Sequence, residues 1–392
     1  MSEFIEKLGL LAFLKELKPE TAFLQGKAYL GQLMDLILPH SLVILISMGV
    51  VMVTVLSVVM VSIMYMTLME RKLLGRVQDR YGPNRVGFMG FLQPFADGLK
   101  LVMKEDIVPE GADKFLHLIA PMLVIGTAVF LYAVVPFGRG MAPTDLNVGL
   151  LFFIGVSAFE TMGVIIAGWA SHNKFTLLGG MRAAAQILSY EIPMVLSLVV
   201  VVMMSGSLSL VQIGEAQSHG GWFILTPWGL TAFITFFLAA MAELNRSPFD
   251  MLEAESELVA GYQTEYSGIK FALFYMGEYI SMLAVCILTV VLFLGAWDGP
   301  AILPSWIWLS VKTFILIFVL MWIRGTLPRL RIDQLMAFSW KFLLPLALMN
   351  ILFAGLWFLL PWPLWQRNIL GFVLLALAYG ILVKKERRPG IA

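Results

Sequence analysis

The chain has 392 residues, of which 59% are hydrophobic and only 14% charged, and its formal net charge is +1. Mean hydropathy is +0.86, outside the range of soluble globular domains. The near-zero charge balance gives no reason to expect a nucleic-acid partner, and the single cysteine, Cys286, excludes an iron–sulfur cluster on this chain, since that takes about four thiolates.

Taken from the N-terminus, residues 3–17 fit a short amphipathic helix on the outer surface. Glu3 and Glu6 spoil the basic start of a signal peptide, and no small-residue cleavage site follows. Apolar runs then occupy 41–69, 115–136, 148–170, 184–204, 222–242, 271–296, 305–323, 342–360 and 368–383. Each approaches or exceeds the 20 or so residues that cross a bilayer as a helix. None alternates with period 2 as a barrel strand would. The expected class is therefore all-α: a polytopic membrane helix bundle of about nine transmembrane helices plus an interfacial amphipathic helix. The first run is free of charge from Ser41 to Met69 and must tilt or project beyond the hydrocarbon. Trp222, Trp228, Trp306 and Trp362, near span ends, suit interface anchors.

Basic residues set the orientation. With the first span running outside to inside, the inner side receives Arg71 to Lys114, Lys174, Arg182, Arg246, Lys270, Arg324 to Lys341 and Lys384 to Arg388. The outer loops keep only Arg139 and Arg367, plus four lysines of the N-terminal tail. This asymmetry makes loops 70–114, 245–270 and 324–341 cytoplasmic. Residues 1–40 form an N-terminal extension on the outer side, 41–383 a single transmembrane domain, and 384–392 a basic cytoplasmic tail.

After the first span comes ERKLLGRVQDRYGPNRVGFMGFLQPFADGLKLVMKE, residues 70–105. Gly82-Pro83-Asn84 signals a turn. From Phe88 onward Phe91, Leu92, Phe95, Leu99, Val102 and Met103 recur at helical spacing, with Gln93, Asp97, Lys100 and Lys104 opposite. That pattern describes a helix lying along the interface. Its polar stripe either faces water through an Asp97–Lys100 pair or meets a headgroup or a docked protein.

Seven acids fall within 36 residues: Glu243, Asp250, Glu253, Glu255, Glu257, Glu265 and Glu278. One acid at the centre of a membrane helix costs about 2.5–3.5 kcal/mol, so several near membrane depth imply water, partners or protons. In helical turns Asp250, Glu253 and Glu257 share a face; in an extended loop Glu253, Glu255 and Glu257 share a side. Crowded, partly buried carboxylates hold protons near neutral pH and titrate as a set. The alternative is a solvated acidic loop. Against it stand the apolar residues between the acids and Arg246, an adjacent counter-ion.

Glu160, Glu191, Glu243, Glu278 and Lys312 fall within the spans or their last turns. Either they neutralise one another in packing pairs, or with water between them they form a proton relay. The four histidines sit near span ends, which disfavours haem, and no Walker or dinucleotide-binding glycine pattern occurs. No catalytic residue and no metal site is expected on this chain.

Four ordered stretches carry a resemblance: Glu70 to Glu105; GWASHNKFTLLGGMRAAAQILSYE, Gly168 to Glu191; AELNRSPFDMLEAESELVAGYQTEYSG, Ala242 to Gly268; and LPRLRIDQLMAFSWK, Leu327 to Lys341. They are similar to the signature segments of the quinone-chamber membrane subunit of the proton-pumping NADH–quinone oxidoreductase, respiratory complex I. The resemblance implies a subunit that anchors the hydrophilic arm and forms the quinone chamber, with ubiquinone or menaquinone as substrate. It implies that NADH, FMN and iron–sulfur clusters belong to partner subunits, and that the hydrophilic iron–sulfur and quinone-site subunits, small membrane subunits and lipids surround this one. Arg71, Asp97, Arg246, Asp250, Glu253, Glu255, Glu257, Glu265, Arg329 and Arg331 would line the chamber and its mouth. Glu191, Glu243 and Glu278 match the family's proton-path glutamates, with Lys312 beside them, while Glu160 is specific to this branch. Met48, Met52, Met60 and Met64, at multiples of four, would suit passage of an isoprenoid tail, although such stripes are also ordinary packing. The last span resembles the additional helix of bacterial members, which implies the inner (plasma) membrane of a bacterium. Two other readings are the equivalent subunit of a membrane-bound hydrogenase and a stand-alone ion transporter, for which an internal repeat would be usual.

Overall fold

A run with no charge and no turn chemistry has nothing to stop a helix, and in the computed structural model it forms α1 (His40–Val77), 38 residues long. The structure describes residues 40–250, 260–300, 302–359 and 368–373. Residues 1–39, Glu253, Glu255, Glu257 and the tail at 384–392 lie outside the described residues. Helix α1 continues two turns beyond the expected exit at Met69, which brings Glu70, Arg71 and Lys72 inside it. Thr54, Ser57, Ser62 and Thr67 each donate to a carbonyl three or four residues back. Hydroxyls on an apolar helix are thereby satisfied without water.

The interfacial helix is α2 (Gln93–Met103), preceded by a short 3-10 turn at Phe88–Gly90. It starts later than the apolar spacing predicts because Met89 and Gly90 take left-handed backbone angles. A side chain at Gly90 would stand 2.3 Å from the Pro83 carbonyl. Pro94 sits in the first turn, where its missing N–H costs nothing. The apolar stripe of α2 is exposed, whereas its polar stripe meets this chain's own α1: Arg71 pairs with Asp97.

The bundle continues with α3 (Lys114–Phe130), α4 (Gly149–Ala170), α5 (Lys174–Ser205), α6 (Leu210–Gly220), α7 (Pro227–Glu243), α8 (Gly268–Phe293), α9 (Ser305–Thr326), α10 (Ile332–Phe338) and α11 (Leu344–Leu359). Their starts are chemically marked: Asp113, Asn173, Ser209 and Thr226 each accept a backbone N–H of the first turn. Helix α5 begins ten residues before the expected 184. Lys174, Gly179, Gly180 and Arg182 dilute hydropathy there, yet the glycines let α5 approach its neighbours closely. A Cβ on Gly179 would lie 2.8 Å from the backbone of Gly261.

Helix α8 is the axis of the fold. It contacts α1, α2, α3, α6, α7 and α9 and is buried almost throughout. In lipid no hydrophobic gradient drives helices together, so close van der Waals contact at small residues does the work. Gly163 of α4 and Gly277 of α8 both receive Val124 of α3, and a Cβ at either would meet its methyls at 2.6 and 2.8 Å. Among the described residues there is no strand, seven helices are long and apolar enough to cross a membrane, and α7 is a shorter apolar helix. Of the ninth expected span only 368–373 are described, and they are helical.

Candidate functional site

The longer α1 carries Glu70 into the bundle, where it is 3% exposed. Three donors converge on it. Arg246 Nη1 reaches Oε1 at 3.1 Å, Arg324 Nη1 bonds the same oxygen, and the Tyr279 hydroxyl donates to Oε2 at 2.5 Å. Arg246 also lies over the Tyr279 ring, 4.4 Å from its centroid, and the Tyr275 and Tyr279 hydroxyls are 2.9 Å apart. Four segments thus meet at one carboxylate: α1, α8, α9 and the turn after α7. That turn is tight because Asn245 adopts φ 51. Burial opposes the charge on Arg246, but Tyr279, Glu70 and Glu278 outweigh it and hold its pKa above the ordinary guanidinium value. Two guanidinium groups share the Glu70 carboxylate, and Glu278 is a second acid beside Arg246. Nε and Nη2 of Arg246 are buried with no hydrogen-bond partner among the described residues.

Several other described residues expected at the chamber have partners of their own. Asp250, almost fully buried, accepts from Arg329 Nη2 at 3.0 Å, and Leu330 N–H donates to the Pro248 carbonyl at 3.0 Å. The 245–250 and 327–331 segments are therefore joined. Asp97 accepts from Arg71 and, at 3.1 Å, from Gln93 Nε2, with Lys100 more distant at 3.8 Å. Glu265 takes a 2.7 Å bond from Asn173 Nδ2. Arg331 is exposed at the start of α10. The acidic stretch returns as a buried turn, Gly261–Gln263, in which Gln263 Nε2 donates to the Tyr262 hydroxyl at 2.8 Å and to Glu278 at 3.4 Å. Both described ends of the stretch are packed rather than solvated.

The acids within the spans fall into two groups. Glu160 of α4, Glu191 of α5 and Glu243 of α7 form a set in which the first two are electrostatic neighbours of the third. Ser281 donates to Glu160 at 3.0 Å. Glu243 Oε2 is buried with no partner among the described residues, which is costly unless the carboxyl is protonated or hydrated. Glu278 belongs instead to the arginine side, through Gln263 and Arg246. Lys312 stands apart from both groups. Its Nζ donates to the carbonyls of Leu294, Ala296 and Asp298 at 2.7, 3.2 and 2.6 Å, closing the end of α8, and it sits over Trp222.

Sequence reasoning missed Glu70, Arg324 and Tyr279 as site residues. A lone acid followed by helix-forming residues without a stop signal was the available clue to Glu70. Arg324 and Tyr279 carry no local sign, because only the packing of α8 and α9 against α1 brings them to it.

Fold and site together define a polytopic helical membrane protein that gathers ion-paired arginines and several carboxyl groups inside its bundle. A family model described as NADH dehydrogenase matches residues 50–355. The chain belongs to that family, and its curated relatives are named as the H subunit of NADH-quinone oxidoreductase. The relative from Syntrophobacter fumaroxidans, the second such protein of that organism, is 49% identical over 304 residues, covering 75% of this chain and 91% of the relative. The one from Syntrophotalea carbinolica is 48% identical, covering 81% and 96%, and the first of Geobacter sulfurreducens is 47% identical, covering 74% and 89%.

Proposed function

We propose that this subunit forms part of the quinone-binding chamber of an NADH–quinone oxidoreductase and couples quinone reduction to proton movement. The observation that carries the reading is the Glu70–Arg246–Arg324–Tyr279 hub, a buried site with unmatched guanidinium donors on Arg246. Such a site stabilises negative charge that develops on a reduced quinone. Arg71, Asp97, Arg246, Asp250, Glu253, Glu255, Glu257, Glu265, Arg329 and Arg331 line the chamber and its cytoplasmic mouth in this reading. Glu160, Glu191, Glu243 and Glu278 carry protons onward, with Lys312 the remaining ionisable group of the path.

Electrons come from an iron–sulfur partner docked on loops 70–114, 245–270 and 324–341, with NADH and FMN further out on the hydrophilic subunits. Neighbouring membrane subunits and lipids enclose the rest, in the plasma membrane of a bacterium. Photo-crosslinking a quinone analogue to the native complex tests the assignment. Adducts on this chain near Arg246 and Asp250 are expected, and labelling confined to other chains overturns it.

A further inference from the structure

A second ionisable cluster lies at the start of α3 and α8, apart from the hub and from the carboxylate set. His117, fully buried, stacks on Tyr266 with ring centroids 4.0 Å apart and planes within 10°. Its Nδ1 is 3.4 Å from Lys270 Nζ, and Lys270 in turn pairs with Asp106 at 2.8 Å. An ammonium group has donors only, so an ammonium at Lys270 makes Nδ1 the acceptor in this contact. Asp106 belongs to the segment leaving α2, while Tyr266 and Lys270 belong to the return arm of the acidic stretch.

The same two segments are joined by backbone. Ile107 N–H donates to Ser267 Oγ at 2.9 Å, and Ser267 Oγ lies 3.3 Å from the Glu105 carbonyl. Gly268, at φ +54, lies so close that a Cβ there would be 3.0 Å from the Lys104 carbonyl. Asp250 is thus fixed by Arg329, and the described residues from 265 to 270 are fixed by this cluster.

We propose that His117, Lys270 and Asp106 form a clasp that positions the described return arm, residues 260–270, for quinone. They act through that arm rather than on the substrate, by locking the segment after α2 to residues 265–270. The inference rests on the chamber reading above for its effect on quinone, but not for the clasp itself. The charged groups facing His117 are Lys270, Asp106 and Glu265.

The test uses the intact complex carrying Lys270→Met, Lys270→Arg, His117→Leu and His117→Gln. Lys270→Met and His117→Leu should raise the apparent KM for a short-chain quinone at least 3-fold. NADH oxidation by a water-soluble acceptor, which bypasses quinone, should be unchanged. Lys270→Arg and His117→Gln keep the donor and the acceptor and should restore the KM. Amide exchange at 104–107 and 260–268 should rise at least 10-fold in the first pair and not in the second. Unchanged exchange in Lys270→Met overturns the clasp. If a variant does not assemble, Ser267→Ala, which removes only the hydroxyl, should show the same exchange increase, and its absence overturns the clasp equally. Raised exchange with an unchanged KM leaves the clasp standing and overturns its role for quinone, whereas failed crosslinking in the native complex sinks the chamber reading alone.

Discussion

Replacing Glu70 by Gln changes one oxygen to an amide nitrogen and removes the negative charge that Arg246 and Arg324 share. The amide keeps one acceptor oxygen, so its N–H groups would face either the two guanidinium groups or the Tyr279 hydroxyl. Removing one partner of a buried ion pair costs about 3–5 kcal/mol, a factor of roughly 10² to 10⁴ in the folded ratio. The next residue supplies the control. Arg71 pairs with Asp97 but its side chain is 46% exposed, so Arg71→Gln should cost about 0.2–1 kcal/mol. The assay is the unfolding midpoint of the purified complex together with the amount of subunit retained in the membrane. Combining Glu70→Gln with Arg324→Gln should cost less than the sum of the single changes, by about 0.5–3 kcal/mol, because the second change removes a cation whose carboxylate is already gone. If Glu70→Gln costs no more than Arg71→Gln, or the pair is additive, the hub is not a coupled unit.

Further outcomes follow from particular contacts. Gly179→Ala should destabilise by about 1–3 kcal/mol through its clash with the Gly261 backbone, while Gly98→Ala, with nothing within 4 Å, should be neutral or stabilising; thermal melts separate them. Glu243→Gln should leave assembly intact but lower the protons moved per electron in proteoliposomes, and an unchanged ratio removes Glu243 from the path. Lys312→Met leaves the carbonyls at the end of α8 unpaired and should cost about 1.5–3 kcal/mol, with faster exchange at 294–298. Because the Arg246 pKa is raised on folding, its contribution is complete below the unfolded value and lost only above it. The stability difference between wild type and Arg246→Met should then be flat from about pH 6 to 9, and a slope in that window refutes it.

Spans were legible wherever hydropathy was continuous: α3, α4, α8 and α9 fall within a few residues of the apolar runs, since composition alone dictates helix in lipid. Hydropathy failed at α5, whose first ten residues include glycines and polar groups used for close packing. It also stopped short of the end of α1, where charge closes the apolar run but the helix continues to Val77 with Glu70 held by buried partners. For the site, the sequence pointed to Arg246, Asp250 and the span glutamates. It could not pair them, because Asp250 meets Arg329 across 79 positions and Glu70 meets Arg324 across 254. Asp97 was readable as half of a local pair, but its stronger partner, Arg71, lies on another helix.

Among the described side chains of α1 the buried ones are Val59, Ile63, Met66, Leu68 and Glu70, all in its second half. Its outer half borders an apolar cavity of about 290 Å³ lined by Met48, Met52, Leu56 and Phe130. A helix whose buried contacts gather toward one end would pivot about that end if the surrounding bilayer thinned or thickened. Glu70 is at that end. Acyl-chain length would then be a mechanical input to the two arginines.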